Sequence, residues 1–345
     1  MLRLSDFDYE LPPELIAQGP LADRSASRLL VLDRRTGELS HRFFRDSLDL
    51  LEPGDLLVMN DTRVTALRLF GYKPTGGEVE ALLLKPVGPR RYEALMRPGK
   101  RLKIGARIEF DGLTATVVAE LPEGRREIQF EAVAGLEERI REKGSVPLPP
   151  YIAGTIEDPE RYQTVFARTG GSAAAPTAGL HFTSEMLGAL QRKGVETATV
   201  TLDVGIDTFR PVQSEDLDGH KMHGERCEVP EETAQKIEKC KGRVIAVGTT
   251  SVRTLESLSL AKRRVATGST VSTLFIRPGY EFKTVDGMFT NFHMPRTSMM
   301  IMLAAMVDHR FLMSAYRVAI QQNYRFLSFG DAMLVLPAPV RVTAP

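Results

Sequence analysis

Val244-Ile-Ala-Val-Gly-Thr-Thr-Ser-Val-Arg-Thr-Leu-Glu256 reads as a strand, a hydroxyl-rich loop and a helix in direct succession. Four apolar residues make the strand, and Thr249 or Ser251 caps a helix that runs through Leu260. A strand feeding a helix is the repeating unit of an α/β sheet. The unit recurs in both directions. From residue 153 onward, helix 184–193 leads to strand Glu196–Leu202, and helix 231–241 leads to Val244–Val247. Ser272–Ile276 is a strand, helices 297–306 and 310–322 follow, and a last strand lies near Met333–Leu336. Upstream, Leu29–Asp33 is a strand that the turn Arg34–Gly37 folds into a hairpin. Phe44 to Leu51 is helical, and strand Leu56–Met59 delivers Asn60-Asp-Thr-Arg63 to a loop. This alternation predicts an α/β fold with a mixed sheet covered by helices.

Residues 64–150 have a different rhythm. Short alternating strands are expected at Val64–Leu69, Val79–Leu84, Tyr92–Met96, Arg107–Phe110, Ala115–Ala119 and Glu127–Phe130, with turns between them. Such a block makes a small barrel or sandwich. It interrupts the α/β pattern, so the expected division is 1–63 with 148–345 for one discontinuous domain and 64–147 for an insertion. Within the insertion, Lys85, Arg90, Arg91, Arg97, Lys100, Arg101, Lys103 and Arg107 face only Glu93 as local compensation. That predicts a positive surface suited to phosphates, with a solvated charged face as the plain alternative.

Composition narrows the class. The formal net charge is +1, so no global charge points to nucleic acid or membrane. No apolar run reaches the ~20 residues of a membrane span. Two cysteines and no signal peptide at the start fit a reducing, cytoplasmic setting.

The chemistry-bearing residues sit in polar loops at strand ends, where α/β proteins place ligands. Ala173-Ala-Ala-Pro-Thr-Ala-Gly-Leu-His-Phe-Thr183 is small-residue-rich and feeds a helix with Thr183 or Ser184 as N-cap. Gly179 can take a positive φ there, and His181 is a possible proton carrier; an ordinary turn with a structural histidine is the alternative. Thr201-Leu-Asp-Val-Gly-Ile-Asp-Thr-Phe-Arg-Pro211 carries Asp203 and Asp207, which could divide acid and base roles. Thr249, Thr250 and Ser251 can hold a ligand at a helix start, while Arg253 and Glu256 share a helix face as a surface pair. His220-Lys-Met-His223 with Cys227 and Cys240 superficially resembles a zinc site, but the spacing is wrong and no metal is expected. Asn291 and His293 are the polar exceptions before a Met-rich helix. No glycine fingerprint of a dinucleotide fold and no P-loop occurs.

Taken together, these segments resemble one family, the S-adenosylmethionine:tRNA ribosyltransferase-isomerases of queuosine biosynthesis. Asp6-Phe-Asp-Tyr-Glu-Leu-Pro12, Asn60-Asp-Thr-Arg63, Pro147-Leu-Pro-Pro-Tyr-Ile152, Arg161-Tyr-Gln-Thr164 and Ala175–Thr183 carry the resemblance. So do His220–His223, Gly248-Thr-Thr250 with Arg253 to Glu256, Thr290-Asn-Phe-His-Met-Pro295 and Tyr324-Arg-Phe-Leu-Ser-Phe-Gly-Asp331. The resemblance implies an α/β domain with an inserted antiparallel β-barrel. It implies an enzyme that moves the ribosyl part of S-adenosylmethionine onto 7-aminomethyl-7-deazaguanine at the tRNA wobble position, where it isomerises to give epoxyqueuosine. Adenine and methionine leave, and S-adenosylmethionine is a consumed co-substrate, so no cofactor is expected. The expected catalytic residues are His181, Asp203, Asp207 and Glu256, with His220, His223 and His293 in reserve. Asn60, Arg63, Thr177, Gly179, Thr249, Thr250, Arg253, Asn291 and His293 are expected to bind substrate. Arg97, Lys100, Arg101 and Lys103 are expected to bind tRNA, the protein acting as a monomer.

The chain departs from the family in one place. The usual Thr-Leu-His-Val-Gly-Leu-Gly-Thr-Phe is here Thr201-Leu-Asp-Val-Gly-Ile-Asp-Thr-Phe209, so Asp203 replaces a histidine and Asp207 a glycine. His181 thereby becomes the stronger proton carrier. Two other classes compete: a non-catalytic RNA-binding module, and an S-adenosylmethionine methyltransferase, which the missing glycine fingerprint disfavours.

Overall fold

A computed structural model describes residues 2–205, 212, 214–220 and 222–336. Asp207 lies outside the described residues. The chain contacts form two compact units, one within Met1–Thr62, Pro149–Thr169 and Pro176–Pro345, the other within Arg63–Leu148 and Gly170–Ala175. Residues 170–175, which the sequence reading keeps with the α/β domain, make their contacts with the smaller unit.

The larger unit is built on a nine-stranded mixed sheet. In spatial order its strands are Gly268–Ser272, Glu225–Val229, Glu196–Leu202, Leu56–Asn60, Val244–Val247, Gly287–Asn291, Ala332–Leu336, Arg28–Asp33 and Glu38–Phe43. The central four, from Glu196–Leu202 to Gly287–Asn291, run parallel, and antiparallel partners flank them. Leu56–Asn60, Val244–Val247 and Gly287–Asn291 are buried along their whole length. Strands covered on both faces need continuous apolar runs, and two of the three consist of Leu-Leu-Val-Met and Val-Ile-Ala-Val. Phe44, Phe182 and Phe289 pack edge-on or tilted in the core beside this sheet, with Leu57, Ile245 and Leu334.

Helix Ser184–Lys193 starts where Thr183 accepts a 3.2 Å bond from the Met186 N–H and stops at Gly194, φ +92°. The helix after Val244–Val247 differs from expectation. It spans Gly248–Ser257, so Thr249 lies within its first turn and does not cap it. Gly248 takes φ +84°, a region that favours glycine, and this allows the strand to pass into the helix without a linker. Ser251 Oγ bonds back to Val247 O at 2.7 Å. The helix ends before Leu260 because Ser259–Ala261 pairs with Arg264–Val265. Two further boundaries move. The strand expected at Ser272–Ile276 is Gly268–Ser272, its pairing ending at Ser272. Asn60 is the last residue of its strand, and Thr62–Val64 is itself extended, so Asn60–Arg63 is not an open loop.

The smaller unit contains a closed antiparallel barrel of six strands, in the order Arg125–Phe130, Arg91–Arg97, Glu78–Gly88, Leu67–Tyr72, Arg107–Phe110, Leu113–Glu120. Leu113–Glu120 pairs back with Arg125–Phe130 and closes the ring, which removes exposed sheet edges. Leu69, Ala81, Ile108, Val117, Ile128 and Phe130 fill it, and Leu136 and Ile140 of helix Leu136–Lys143 join that core.

The expected excess of positive charge on the barrel is largely paired. Lys85 lies 3.4 Å from Glu93, Arg91 3.4 Å from Glu127, Lys103 3.5 Å from Glu120, and Arg107 3.0 Å from Glu131. Three of those four carboxylates come from residues 120–131, which antiparallel pairing brings alongside the basic strands. Arg97 and Arg101 are exposed and have no ion-pair partner among the described residues. Lys100 has its backbone in the turn Gly99–Arg101.

Candidate active site

The carboxyl ends of the parallel strands carry the polar residues. Asn60 ends one, and its side chain brackets Leu202 on the neighbouring strand: Oδ1 accepts from Leu202 N–H at 3.0 Å and Nδ2 donates to Leu202 O at 3.1 Å. Asn60 is therefore a clamp that fixes where Asp203 leaves the sheet. Asp61 follows, buried, accepting from Arg168 at 2.9 Å and from Thr201 Oγ1 at 2.7 Å. Asp203 is partly exposed with Arg226 at 3.7 Å. Arg63 lies in the extended segment Thr62–Val64 and is the first residue of the smaller unit.

The densest polar network surrounds His181. A 3-10 helix, Thr177–His181, holds it against the end of Gly287–Asn291. Asn291 Nδ2 stands 3.2 Å from His181 Nε2 and also donates to Leu327 O at 3.2 Å. Thr177 Oγ1 donates to Asn291 Oδ1 at 3.2 Å, which fixes the amide orientation. An amide nitrogen only donates, so Nε2 must be the acceptor and Nδ1 must carry the ring proton. That proton points to Ser27 Oγ, 3.0 Å away, and Ser27 Oγ in turn lies 3.4 Å from Arg24 O. Phe44 stacks on the ring at 4.9 Å. Burial pushes His181 down to about 4, and the Arg24 and Arg325 charges add to the effect. At neutral pH it is an uncharged imidazole.

Gly179 is in the same turn, but its φ is not positive. A Cβ there would meet Phe166 Cζ at 2.7 Å and Thr164 Cγ2 at 2.9 Å, so glycine is required for close packing. Gly248 faces this turn: an added Cβ would touch Ala178 Cβ at 3.5 Å. Thr249 and Thr250 thus start their helix beside the His181 turn, with Thr250 Oγ1 buried and without a hydrogen-bond partner.

Other expected residues do different work. Glu256 lies six residues beyond Thr250, ~9 Å along the helix axis. Its carboxylate accepts from the N–H groups of Lys283, Thr284 and Val285 at 2.9–3.0 Å and from Tyr280 Oη at 3.1 Å. It anchors that segment at the far end of the helix from Thr249. Arg253 forms no surface pair with Glu256. It is buried, pairs with Glu225, and donates to His223 O and Ser272 O at 2.8 Å. Glu225 Oε1 accepts from Gly205 N–H at 3.1 Å, so this ion pair holds the chain just beyond Asp203. His293 bonds Thr290 Oγ1 at 2.7 Å, its N–H donates to Tyr316 Oη at 3.0 Å, and burial pushes it to about 3. His220 packs edge-on against Phe275. The geometry thus brings His181, Asn291, Thr177 and the Gly248–Thr250 helix start together and leaves Glu256, Arg253 and His293 as supports.

Sequence reasoning missed Ser27 and Phe44. They lie 154 and 137 residues from His181, and neither carries a motif of its own. It quoted Arg161 and Arg325 without giving them a role.

A family model described as "Queuosine biosynthesis protein" matches residues 4–335. The chain belongs to the queuosine-biosynthesis family of S-adenosylmethionine:tRNA ribosyltransferase-isomerases. It is 51% identical over 341 residues to the protein of that name from Symbiobacterium thermophilum, and 48% identical over 341 residues to the one from Staphylococcus epidermidis. Each alignment covers 97% of this chain and all of the relative. The crystal structure of an S-adenosylmethionine tRNA ribosyltransferase from Thermotoga maritima matches with a TM-score of 0.55 and 38% identity, over 96% of this chain and 100% of that one. The family's α/β sheet and barrel are those described above. No helix among the described residues is long and apolar enough to cross a membrane.

Proposed function

We propose that this enzyme transfers the ribosyl group of S-adenosylmethionine to the aminomethyl nitrogen of 7-aminomethyl-7-deazaguanine at the wobble position of tRNA, isomerising it to the epoxycyclopentanediol of epoxyqueuosine. Family membership sets the reaction class. The observation that carries the mechanism is a neutral, buried His181 whose Nε2 lone pair is presented to a single amide donor.

A sulfonium acidifies the C5′ protons beside it, so a positioned neutral base can begin the reaction there. When substrate displaces the Asn291 amide from it, His181 Nε2 takes the proton and becomes an imidazolium in a site that disfavours charge. It therefore returns the proton readily, and adenine, which must be protonated to leave, is the fitting acceptor. The proton lost at C5′ is matched by the one gained by departing adenine, methionine leaves as a neutral thioether with the C5′–S electron pair, and the proton the amine loses on bonding to the sugar goes to solvent. Asn291 and Thr177 orient the imidazole, and the free N–H groups at the Gly248–Thr250 helix start are donors for a ribose or adenine heteroatom. Asp203 is the carboxylate proposed to face the sulfonium. The exposed Arg97 and Arg101, with Lys100 and Lys103, are proposed to contact phosphates of the anticodon stem-loop. A wobble base is already unpaired, so presenting it to a pocket costs little. The setting proposed for this activity is the cytoplasm.

Product analysis by mass spectrometry tests the reading. Incubation with S-adenosylmethionine and tRNA carrying 7-aminomethyl-7-deazaguanine should release adenine and methionine and yield epoxyqueuosine-tRNA. S-adenosylhomocysteine as product would mean methyl transfer, and the absence of adenine would mean a binding module; either would overturn the proposal.

A further inference from the structure

Beside His181, on its Nδ1 side, lies a cavity of about 20 Å³, room for a water molecule or a carboxylate group. Arg24, Arg161, Ser27 and His181 line it, together with the apolar Leu180 and Phe329. The two guanidinium groups are held by backbone carbonyls. Arg24 donates to Gln163 O at 2.9 Å, Glu160 O at 3.0 Å and Leu180 O at 3.2 Å, and Arg161 donates to Ala22 O at 3.1 Å and to Leu21 O. Arg325, which with Arg24 acts on His181 but does not line the cavity, donates to Gly19 O at 2.6 Å.

Among the described residues none of the three forms an ion pair with a carboxylate, and Asp158 and Glu160 act on Arg24 only at longer range. Arg161 Nε and Arg325 Nη1 are buried donors without any hydrogen-bond partner. Unfilled buried donors on clustered cations are costly unless an anion completes them. Carbonyls orient guanidinium groups without neutralising them, so the charge is left for a ligand.

We propose that this cavity is the subsite for the carboxylate of the methionyl group of S-adenosylmethionine. The inference rests on the ribosyltransferase reading and adds to it where the amino-acid end of the donor sits. The two cationic side chains that line it, Arg24 and Arg161, suit a carboxylate. The apolar wall formed by Leu180 and Phe329 suits the two methylenes that follow.

The test compares S-adenosylmethionine with its decarboxylated analogue as substrates at saturating tRNA, with adenine release as readout. For the wild-type enzyme, kcat/KM should be about 30-fold lower with the analogue, the loss lying in KM, as expected for a charge-assisted hydrogen-bonded pair. In Arg161→Gln, kcat/KM for S-adenosylmethionine should fall by a similar factor, and the gap between the two substrates should close to within about 3-fold. Arg161→Lys, which keeps the charge and loses the fork, should lie between. Equal kcat/KM for the two substrates in the wild type would overturn the subsite and leave the activity standing. An undiminished gap in a folded Arg161→Gln would also overturn it. No adenine release from either substrate by the wild type would overturn the ribosyltransferase reading and this inference with it. Thermal melts report folding; if Arg161→Gln does not fold, the wild-type comparison and Arg161→Lys decide.

Discussion

Two regions of this protein are rich in arginine, and they treat the charge in opposite ways. On the barrel, cations that are clustered in sequence meet carboxylates from residues 120–131, as in Arg91 with Glu127 and Arg107 with Glu131. Around His181, cations that are scattered in sequence (Arg24, Arg161, Arg325) converge and are held by carbonyls. The first arrangement is exposed, so its ion pairs are weak and easily screened. The second is half-buried and keeps its charge, which adds to the burial that holds His181 neutral. A run of basic residues in a sequence is therefore a poor guide to where a protein binds an anion; the partner of each cation decides.

Experiments on the two regions should differ in size. The largest effect is expected at the buried one. His181→Ala should lower kcat/KM for adenine release by about 100-fold or more, the range of a positioned general base. A rate within about 3-fold of wild type would remove His181 from the chemistry and reduce the contrast to one of packing.

Stability against acid comes next. His181 is held at about 4 and His293 at about 3, both below the ordinary 6.5 of the unfolded chain. Between those limits the unfolded state binds more protons than the native one, so stability rises with pH and is lost as pH falls from about 6.5 toward 4. For His181 the loss is on the order of 3 kcal/mol. Urea midpoints measured from pH 7.5 to 4.5 should fall, with a shallower slope in His181→Asn. An identical slope in that variant would mean that His181 is not held neutral.

The barrel should respond more gently. Replacing Arg97, Lys100 and Arg101 together by Ala should weaken tRNA binding by about tenfold and reduce the salt slope by about 2–3 phosphate contacts. An unchanged slope would place the RNA phosphates elsewhere. Smallest of all, a double-mutant cycle on Arg91 and Glu127 should give a coupling below about 1 kcal/mol; a larger value would mean that the barrel's pairs are structural after all.

Much of the architecture was legible in the sequence because it follows from local periodicity. The six short strands of residues 64–150 alternate with period two, and the barrel has six, although their ends move by up to several residues. Helix 184–193 was readable to the residue, since Thr183 and Gly194 are cap residues whose effect is local. The helix expected through Leu260 stops at Ser257 because Ser259–Ala261 finds a strand partner at Arg264–Val265, a contact that periodicity does not express. Arg253 and Glu256 looked like a surface pair because three-residue spacing puts them on one helix face. That face is buried, and each found other partners, Glu225 for one and the backbone of 283–285 for the other.

By itself, then, the sequence determined the α/β alternation, the inserted all-β block, the membership of the family and the identity of His181 as the titratable residue in a close-packed turn. Only the tertiary structure decided what His181 is: a neutral imidazole fixed by Asn291 and Ser27, beside arginines drawn from three distant segments. The reason is physical. Periodicity and capping act over a few residues, whereas desolvation and charge act through space and depend on which groups share a dry volume, whatever their separation along the chain.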